Sequence, residues 1–448
     1  LLLILSWPAF KYYFFAEAFT YLRIYNQHNR HLVEAAFSRM DGMFFRPGFF
    51  LVNIWWHFVL PPDPMLYHVR NAIFCVINLF LLYVVLSKFI RSRPARIIAL
   101  GIVAVSKIHM TIIGYIVVYE ASVLLMTILL VVLFWFRYIE ARRKVDYVVT
   151  IIVCVFSAYS KDNGFVVIGI LAAMVIALAV ERRELMSQLQ YWAVRFIPFV
   201  IISASYLVLR YVLTGPLNLD NQWYSPRFSF SGTVRQMAGF LATAGNLSLT
   251  DRGVMGKKGL VSVLGRDSMA LEFALCLALW ILILFTLWLS RARWRLLIVP
   301  LVWIGLYLFP IFLIRNHQVY YYQEPLVGLA LMMGISLDRA KRPLLMAWFV
   351  VVAVIATNGF ITNRTSYNAW QYTSDRAAEI VKPIVAAQKQ DPPSSIVFVS
   401  SPALRDFWTF AIGGPLVPQL LGSPETKVSV VDSATQISPD AQVCYLPE

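Results

Sequence analysis

Several short segments of this 448-residue chain put charged side chains where an apolar run ends: Ala16-Glu17-Ala18, Phe45-Arg46-Pro47-Gly48, Tyr119-Glu120, Ser160-Lys161-Asp162 and Arg315-Asn316-His317. An ionisable side chain at a membrane boundary is a functional group by default. A carboxylate can take a proton from a hydroxyl, and an arginine or lysine can hold an anion. If these ends share one side of a bilayer, they build one polar site able to do both.

The elements that must bring them together are membrane helices. The chain is 59% hydrophobic and only 14% charged, against about 25% charged residues in soluble domains. Apolar runs near 20 residues recur without strict alternation or a polar helical face, which excludes both a string of soluble domains and a membrane barrel. The net charge of +15 is no nucleic-acid footprint, because Lys and Arg form short clusters between apolar runs instead of lining one face. The clusters are Lys88, Arg91, Arg93 and Arg96; Arg137, Arg142, Arg143 and Lys144; Arg182 and Arg183; Arg291, Arg293 and Arg295; and Arg339, Lys341 and Arg342. All five satisfy the positive-inside rule together if they are cytoplasmic.

That orientation predicts spans over roughly 66–90, 95–114, 120–137, 146–160, 164–181, 194–213, 268–290, 296–314, 318–337 and 343–361, with Leu1 to Leu5 read as the tail of a first span. A cleaved signal peptide lacks the basic region it would need there. The expected fold is an all-α polytopic membrane protein of about eleven transmembrane helices, N-terminus cytoplasmic and C-terminus outside. Residues 1–362 form the membrane domain, with outer loops near 6–65 and 214–267. The stretch from Pro47 to Leu60 ends at Pro61-Pro62-Asp63-Pro64 and suits an interfacial helix better than a crossing. The tail, 363–448, carries short β-rich runs, Ile396–Val399 and Lys427–Val431, bounded by turn residues, and reads as a small extracytoplasmic α/β domain.

Cys75, Cys154, Cys276 and Cys444 have no metal or disulfide spacing and read as structural thiols. His28, His31, His57, His68, His109 and His317 show no ligand set either. Two sequons, Asn246-Leu247-Ser248 and Asn363-Arg364-Thr365, fall on the predicted outer face, where a eukaryotic host would be able to glycosylate them.

In this order the motifs resemble the GT-C fold glycosyltransferases that use lipid-linked sugars, above all the protein O-mannosyltransferase and lipid A aminoarabinose transferase branch. Those families carry an acidic pair and an aromatic in the first outer loop; Glu17-Ala18-Phe19-Thr20-Tyr21-Leu22 keeps one acid and has Ala18 for the other. Arg46-Pro47 matches a basic residue that opens the second interfacial helix, and Tyr67-His68-Val69-Arg70-Asn71 a span start. Glu120 matches an acid at the outer start of the fourth span, and Lys161-Asp162 a lysine between spans five and six. Arg315 through Glu324 matches a late Arg- and Tyr-rich outer loop.

The resemblance implies an enzyme that moves a sugar from a polyprenyl phosphate to a hydroxyl on a protein, lipid or glycan at the outer face of a membrane, a bacterial inner membrane in preference to the endoplasmic reticulum. Glu17 is then the general base, with Glu120 holding the acceptor or tuning Glu17. Arg46, Lys161 and Arg315 stabilise the departing phosphate, and His317, Tyr320 and Tyr67 contact substrate. One displacement inverts the anomeric centre. With Ala18 removing a hard oxygen ligand, no metal cofactor is expected. Membrane lipids are partners and nucleic acid is not. Each residue also has a plainer reading: Glu17 caps an interfacial helix, Arg46 snorkels to headgroups, Lys161 pairs with adjacent Asp162, and Tyr320 to Tyr322 belong to an aromatic belt. The rival functions are a transporter or lipid-linked oligosaccharide flippase, which would hold its ionisable groups near the midplane, and a non-catalytic assembly subunit on the same scaffold.

Overall fold

The computed structural model describes residues 2–12, 37, 45–59, 63–182, 185–215, 230–247, 269–289, 295–313, 318–390, 395–399, 427–431 and 441–445. Helices occupy every predicted span. In chain order they are α1 (Leu2–Ser6), α2 (Pro47–Val59), α3 (Pro64–Phe89), α4 (Arg93–Ala104), α5 (Ile108–Gly114), α6 (Tyr119–Ala141), α7 (Lys144–Ser160), α8 (Val167–Arg182), α9 (Leu185–Thr214), α10 (Phe230–Ala244), α11 (Met269–Leu289), α12 (Ile298–Leu313), α13 (Gln323–Leu337) and α14 (Arg342–Gln390). Short 3-10 turns precede α6, α8 and α13. Among the described residues five helices are long and apolar enough to cross a membrane, six if α4 and α5 count as one bent span. The protein is an integral, multi-pass membrane protein.

Local chemistry sets the helix starts. Asp63 caps α3 by accepting from Met65 N at 2.9 Å, with Pro64 at the first helical position, where a proline loses no hydrogen bond. Ser92 caps α4 in the same way ahead of Pro94. Asp338, just past α13, accepts from the backbone N–H groups of Arg91 and Ser92, both at 2.7 Å. The α3–α4 turn is thereby tied to the end of α13.

The core lies along α6 and α13. Every residue of α13 is buried, and α6 packs between α3, α7 and α8. From Glu120 to Ala141 α6 spans roughly 33 Å at 1.5 Å per residue, so its two ends sit at opposite faces of the bundle. Its far end enters an aromatic and cationic cluster: the Arg142 guanidinium lies 4.7 Å from the Tyr191 ring and 4.4 Å from Trp192, and Arg137 pairs with buried Asp146 at 3.1 Å. Basic residues with Trp and Tyr at one end of a bundle are the composition of a membrane interface.

Three expectations change. The predicted span 95–114 is broken at Val105-Ser106-Lys107, and its halves are bent by 49°. The break is held from outside the helix: Asn246, in the left-handed region at φ 54°, accepts from Lys107 N at 2.8 Å and donates to Val105 O and Ile355 O, both at 2.8 Å. The Lys107 ammonium donates to Leu247 O at 2.7 Å. Asn246 is fully buried, so the first sequon is a structural amide inside the fold and not a glycosylation acceptor. Asn363 of the second lies within α14.

The last predicted span and the start of the tail are one helix, since α14 runs unbroken to Gln390. Beyond it, β1 (Ser395–Val399), β2 (Lys427–Val431) and β3 (Ala441–Tyr445) form a parallel sheet in the order β2-β1-β3. Ile396 is level with Val428 on one side and Gln442 on the other.

Candidate functional site

Arg46 stands just before α2, its carbonyl accepting from Phe50 N at 3.0 Å. It is buried. Its Nη1 donates to Glu120 Oε2, while Nε and Nη2 donate to Asp162 Oδ2 at 3.0 and 2.6 Å. Asp162 is also reached by Arg210 Nε at 3.2 Å and accepts from the Tyr206 hydroxyl at 3.2 Å, both on Oδ1. The Lys161 ammonium lies 4.0 Å from Glu120 Oε1, and 5.4 and 5.8 Å from the ring centres of Tyr320 and Tyr321. Three cations and two carboxylates thus meet in one contiguous cluster at the N-terminal end of α6.

Close packing makes this meeting feasible. A Cβ on Gly48 would lie 3.0 Å from Ser160 Oγ and 3.2 Å from Phe156 O, so the glycine lets the first turn of α2 rest on the end of α7. Phe45, fully buried, stacks on Tyr206 at 6.4 Å and meets Tyr159 edge-on at 6.2 Å. These rings fix the approach of Arg46. On the other side Gly164 N donates to Lys161 O at 2.8 Å, closing the turn that carries Lys161 and Asp162.

Gly164 has no room for a side chain. A Cβ there would fall 1.9 Å from Ser157 O, a backbone atom, whereas Gly305 on α12 has nothing within 4 Å of that position. Gly164→Ala is therefore expected to destabilise the protein by about 1–3 kcal/mol through overpacking and to displace Lys161 and Asp162. Gly305→Ala should be neutral or slightly stabilising, since alanine is the better helix former. Equilibrium unfolding in detergent measures both; equal behaviour of the two variants would refute the crowding at Gly164.

The Asp162 carboxyl sits between α7 and α8. Burial pushes its pKa up, but Arg46 and then Arg210, by charge and hydrogen bonding, pull it further down, and the net is below the usual carboxylate value. With the folded pKa below the unfolded one, Asp162 adds stability throughout the range above about pH 3.9 and gives it up as pH falls through that value toward the folded pKa. Unfolding of the wild type and Asp162→Asn at pH 7 and pH 3 tests the sign. The wild type should lose more than the variant on acidification, and parallel losses would count against the assignment.

Arg46, Glu120, Lys161 and Tyr320 are thus brought to one place from four distant segments. Tyr67 packs instead against the Arg70 guanidinium, 4.9 Å from its ring, which also covers Tyr119 at 3.7 Å. Glu17, Arg315 and His317 lie outside the described residues. The plainer pairing of Lys161 with Asp162 is not what forms, because Asp162 turns to Arg46 and Arg210. Arg46 does not reach out to headgroups. Tyr206 and Arg210 were missed, although a tyrosine and an arginine one helical turn apart near the end of an apolar span are a readable signal. Among the described residues no three His, Cys, Asp or Glu side chains group as metal ligands; Glu120 and Asp162 face cations instead.

A buried guanidinium and ammonium sharing one carboxylate can accept an anion, with the aromatic rings closing one side. The chain is similar to the aminoarabinose transferase ArnT from Cupriavidus metallidurans in the apo state, with a TM-score of 0.59 at 12% identity over 96% of this chain and 84% of that one. ArnT bound to undecaprenyl phosphate superposes with a TM-score of 0.58 at 12% identity, covering 97% and 85%. The oligosaccharyltransferase of Archaeoglobus fulgidus, tethered to an acceptor peptide, gives 0.52 at 12% identity, covering 92% and 63%. No family model and no curated protein matches the chain. The fold is that of the GT-C glycosyltransferases.

Proposed function

We propose that this protein is a GT-C glycosyltransferase that moves a sugar from a polyprenyl-phosphate donor to a hydroxyl acceptor at the extracytoplasmic face of a membrane. The observation that carries the reading is the buried Lys161 ammonium, 4.0 Å from Glu120 and ringed by Tyr320 and Tyr321, beside an Arg46 that spends donors on both carboxylates. Lys161 takes the donor phosphate, and Arg46 with Glu120 and Asp162 holds it in position. Arg315, which precedes α13 in sequence, adds a further cation. Glu120, paired with two cations, acts here as a positioning residue.

The acceptor oxygen attacks the anomeric carbon from the face opposite the phosphate, so configuration inverts. The C–O bond to phosphate breaks, its electron pair leaves on the polyprenyl phosphate, and the acceptor proton passes to Glu17. Lys161 stabilises the charge that develops on the leaving group. The step needs no metal, because cations of the chain itself supply that stabilisation. His317, Tyr320 and Tyr67 line the substrate path. A fold neighbour binds undecaprenyl phosphate and another holds an acceptor peptide, which supports a lipid-linked donor and leaves protein, lipid and glycan acceptors open.

In this reading the chain crosses the membrane about eleven times, starting in the cytoplasm. The parallel sheet that follows α14 supports a small α/β unit at the end of the chain, which we place outside the membrane. A second reading, a transporter or lipid-linked oligosaccharide flippase, draws on the broken span at Lys107, since interrupted helices with a buried charge are a transporter feature. The two separate in proteoliposomes supplied with polyprenyl-phosphate sugars and hydroxyl acceptors. Release of free polyprenyl phosphate coupled to acceptor glycosylation supports the transferase; translocation of intact lipid-linked sugar without transfer sinks it.

A further inference from the structure

Beside the charged cluster lies a second group of buried polar atoms that the proposed chemistry does not use. Both carboxylate oxygens of Glu324, both polar atoms of the Gln323 amide and the Tyr307 hydroxyl have no hydrogen-bond partner in any other described residue. Glu324 and Gln323 are each 1% exposed and Tyr307 is fully buried. Polar groups left unbonded in an interior are costly and rare, and a carboxylate is the costliest of them.

Glu324 and Tyr307 are neighbours, and Gln323 precedes Glu324 in the chain. Gln323 and Glu324 open α13 directly after the turn that carries Tyr320 and Tyr321. Along the packed pair α12 and α13, a Cβ on Gly328 would lie 2.8 Å from Ile304 Cγ1, which sets the start of α13 beside the helical turn of α12 holding Tyr307. Glu324 and Tyr307 act on each other electrostatically, and Lys161 and Glu120 both act on Glu324. The group therefore adjoins the ammonium assigned to the donor phosphate.

The group is rich in acceptors. A carboxylate and an amide oxygen only accept, the amide nitrogen only donates, and the tyrosine hydroxyl does either. A complementary ligand must bring several hydrogen-bond donors, as the hydroxyls of a sugar ring do. Resting on the transferase reading above, we propose that Glu324, with Gln323 and Tyr307, forms the subsite for the hydroxyl-bearing ring of the donor sugar whose phosphate Lys161 holds. Glu324 is then a specificity-determining residue: it rejects a ligand that leaves its oxygens unbonded.

The test compares lipids with and without a sugar. Full-length protein in nanodiscs is titrated with undecaprenyl phosphate and with undecaprenyl phosphate carrying glucose, mannose or 4-amino-4-deoxyarabinose, following tryptophan fluorescence. Wild type should bind at least one of the sugar-bearing lipids more tightly than the bare one. Glu324→Leu should lose roughly tenfold or more in affinity for that lipid while binding undecaprenyl phosphate no more weakly than wild type, because the lost carboxylate opposed the anion at Lys161, and Glu324→Gln, which keeps one acceptor, should fall between. A variant that is merely misfolded weakens both lipids alike, and that result, or an unchanged affinity for both, overturns the proposal. Wild type that binds bare and sugar-bearing lipids equally overturns the subsite and leaves the phosphate site standing; wild type that binds none removes both.

Discussion

Arg46→Ala is expected to destabilise the folded protein by about 3–5 kcal/mol and to cut sugar transfer by about a hundredfold or more. The first figure is the usual cost of deleting one member of a buried ion pair, because the partner charge stays buried without compensation. The damage falls unevenly. Asp162 keeps Arg210 and Tyr206, each at 3.2 Å, whereas among the described residues Glu120 keeps only the more distant Lys161 ammonium, at 4.0 Å, as an ion partner. Adding Glu120→Gln to Arg46→Ala should therefore recover part of the stability, a coupling that equilibrium unfolding of the two single variants and the double variant measures. Arg46→Lys should resemble alanine more than arginine, since a single ammonium cannot present donors to two carboxylates in different directions as a guanidinium fork does. A fully stable Arg46→Ala, or strictly additive effects, would mean the cluster does not act as a unit. The activity loss follows from geometry, because a Lys161–Glu120 pair freed of Arg46 no longer holds the phosphate at a set distance.

Glu17→Gln carries the second large effect: transfer should fall by about 10² to 10⁴-fold, the usual contribution of a general base, with folding and undecaprenyl phosphate binding unchanged. The amide keeps the size of the acid and loses its ability to take a proton. This pattern separates Glu17 from Glu120, whose replacement by glutamine should disturb stability together with activity. Unaltered turnover in Glu17→Gln, measured beside an active wild type, would remove the base from this position.

The class of the protein, its helices and three of its clustered charges were legible in the sequence for a physical reason. A hydrocarbon core admits charge only at a price that keeps ionisable residues at span ends, so Arg46, Glu120 and Lys161 stand out against apolar runs as they would not in a soluble chain. The positive-inside pattern then assigns those ends to one face before any contact is known. Pairing was a different matter. Asp162 adjoins Lys161 in sequence, yet it bonds Arg46 across 116 positions and Arg210 across 48, because the extended backbone at Lys161 and the turn at Gly164 set the two neighbouring side chains toward different partners.

The same distinction runs through the rest of the fold. Amino-acid order alone determined that this chain lives in a membrane, roughly where its apolar helices lie, and which side chains are charged at their ends, since hydropathy and helical rise act locally and sum along the chain; it did not mark the helix Phe230–Ala244 or the run of α14 to Gln390. Tertiary structure alone decided that Asn246 is a buried brace for the break at Lys107 instead of a glycosylation acceptor, that Tyr206 and Arg210 join the charged cluster, and that Glu324 is buried without a hydrogen bond to another described residue. Those outcomes depend on how close helices far apart in sequence approach, and that distance is set by packing: Gly48 against Ser160 and Gly328 against Ile304. No local periodicity encodes it.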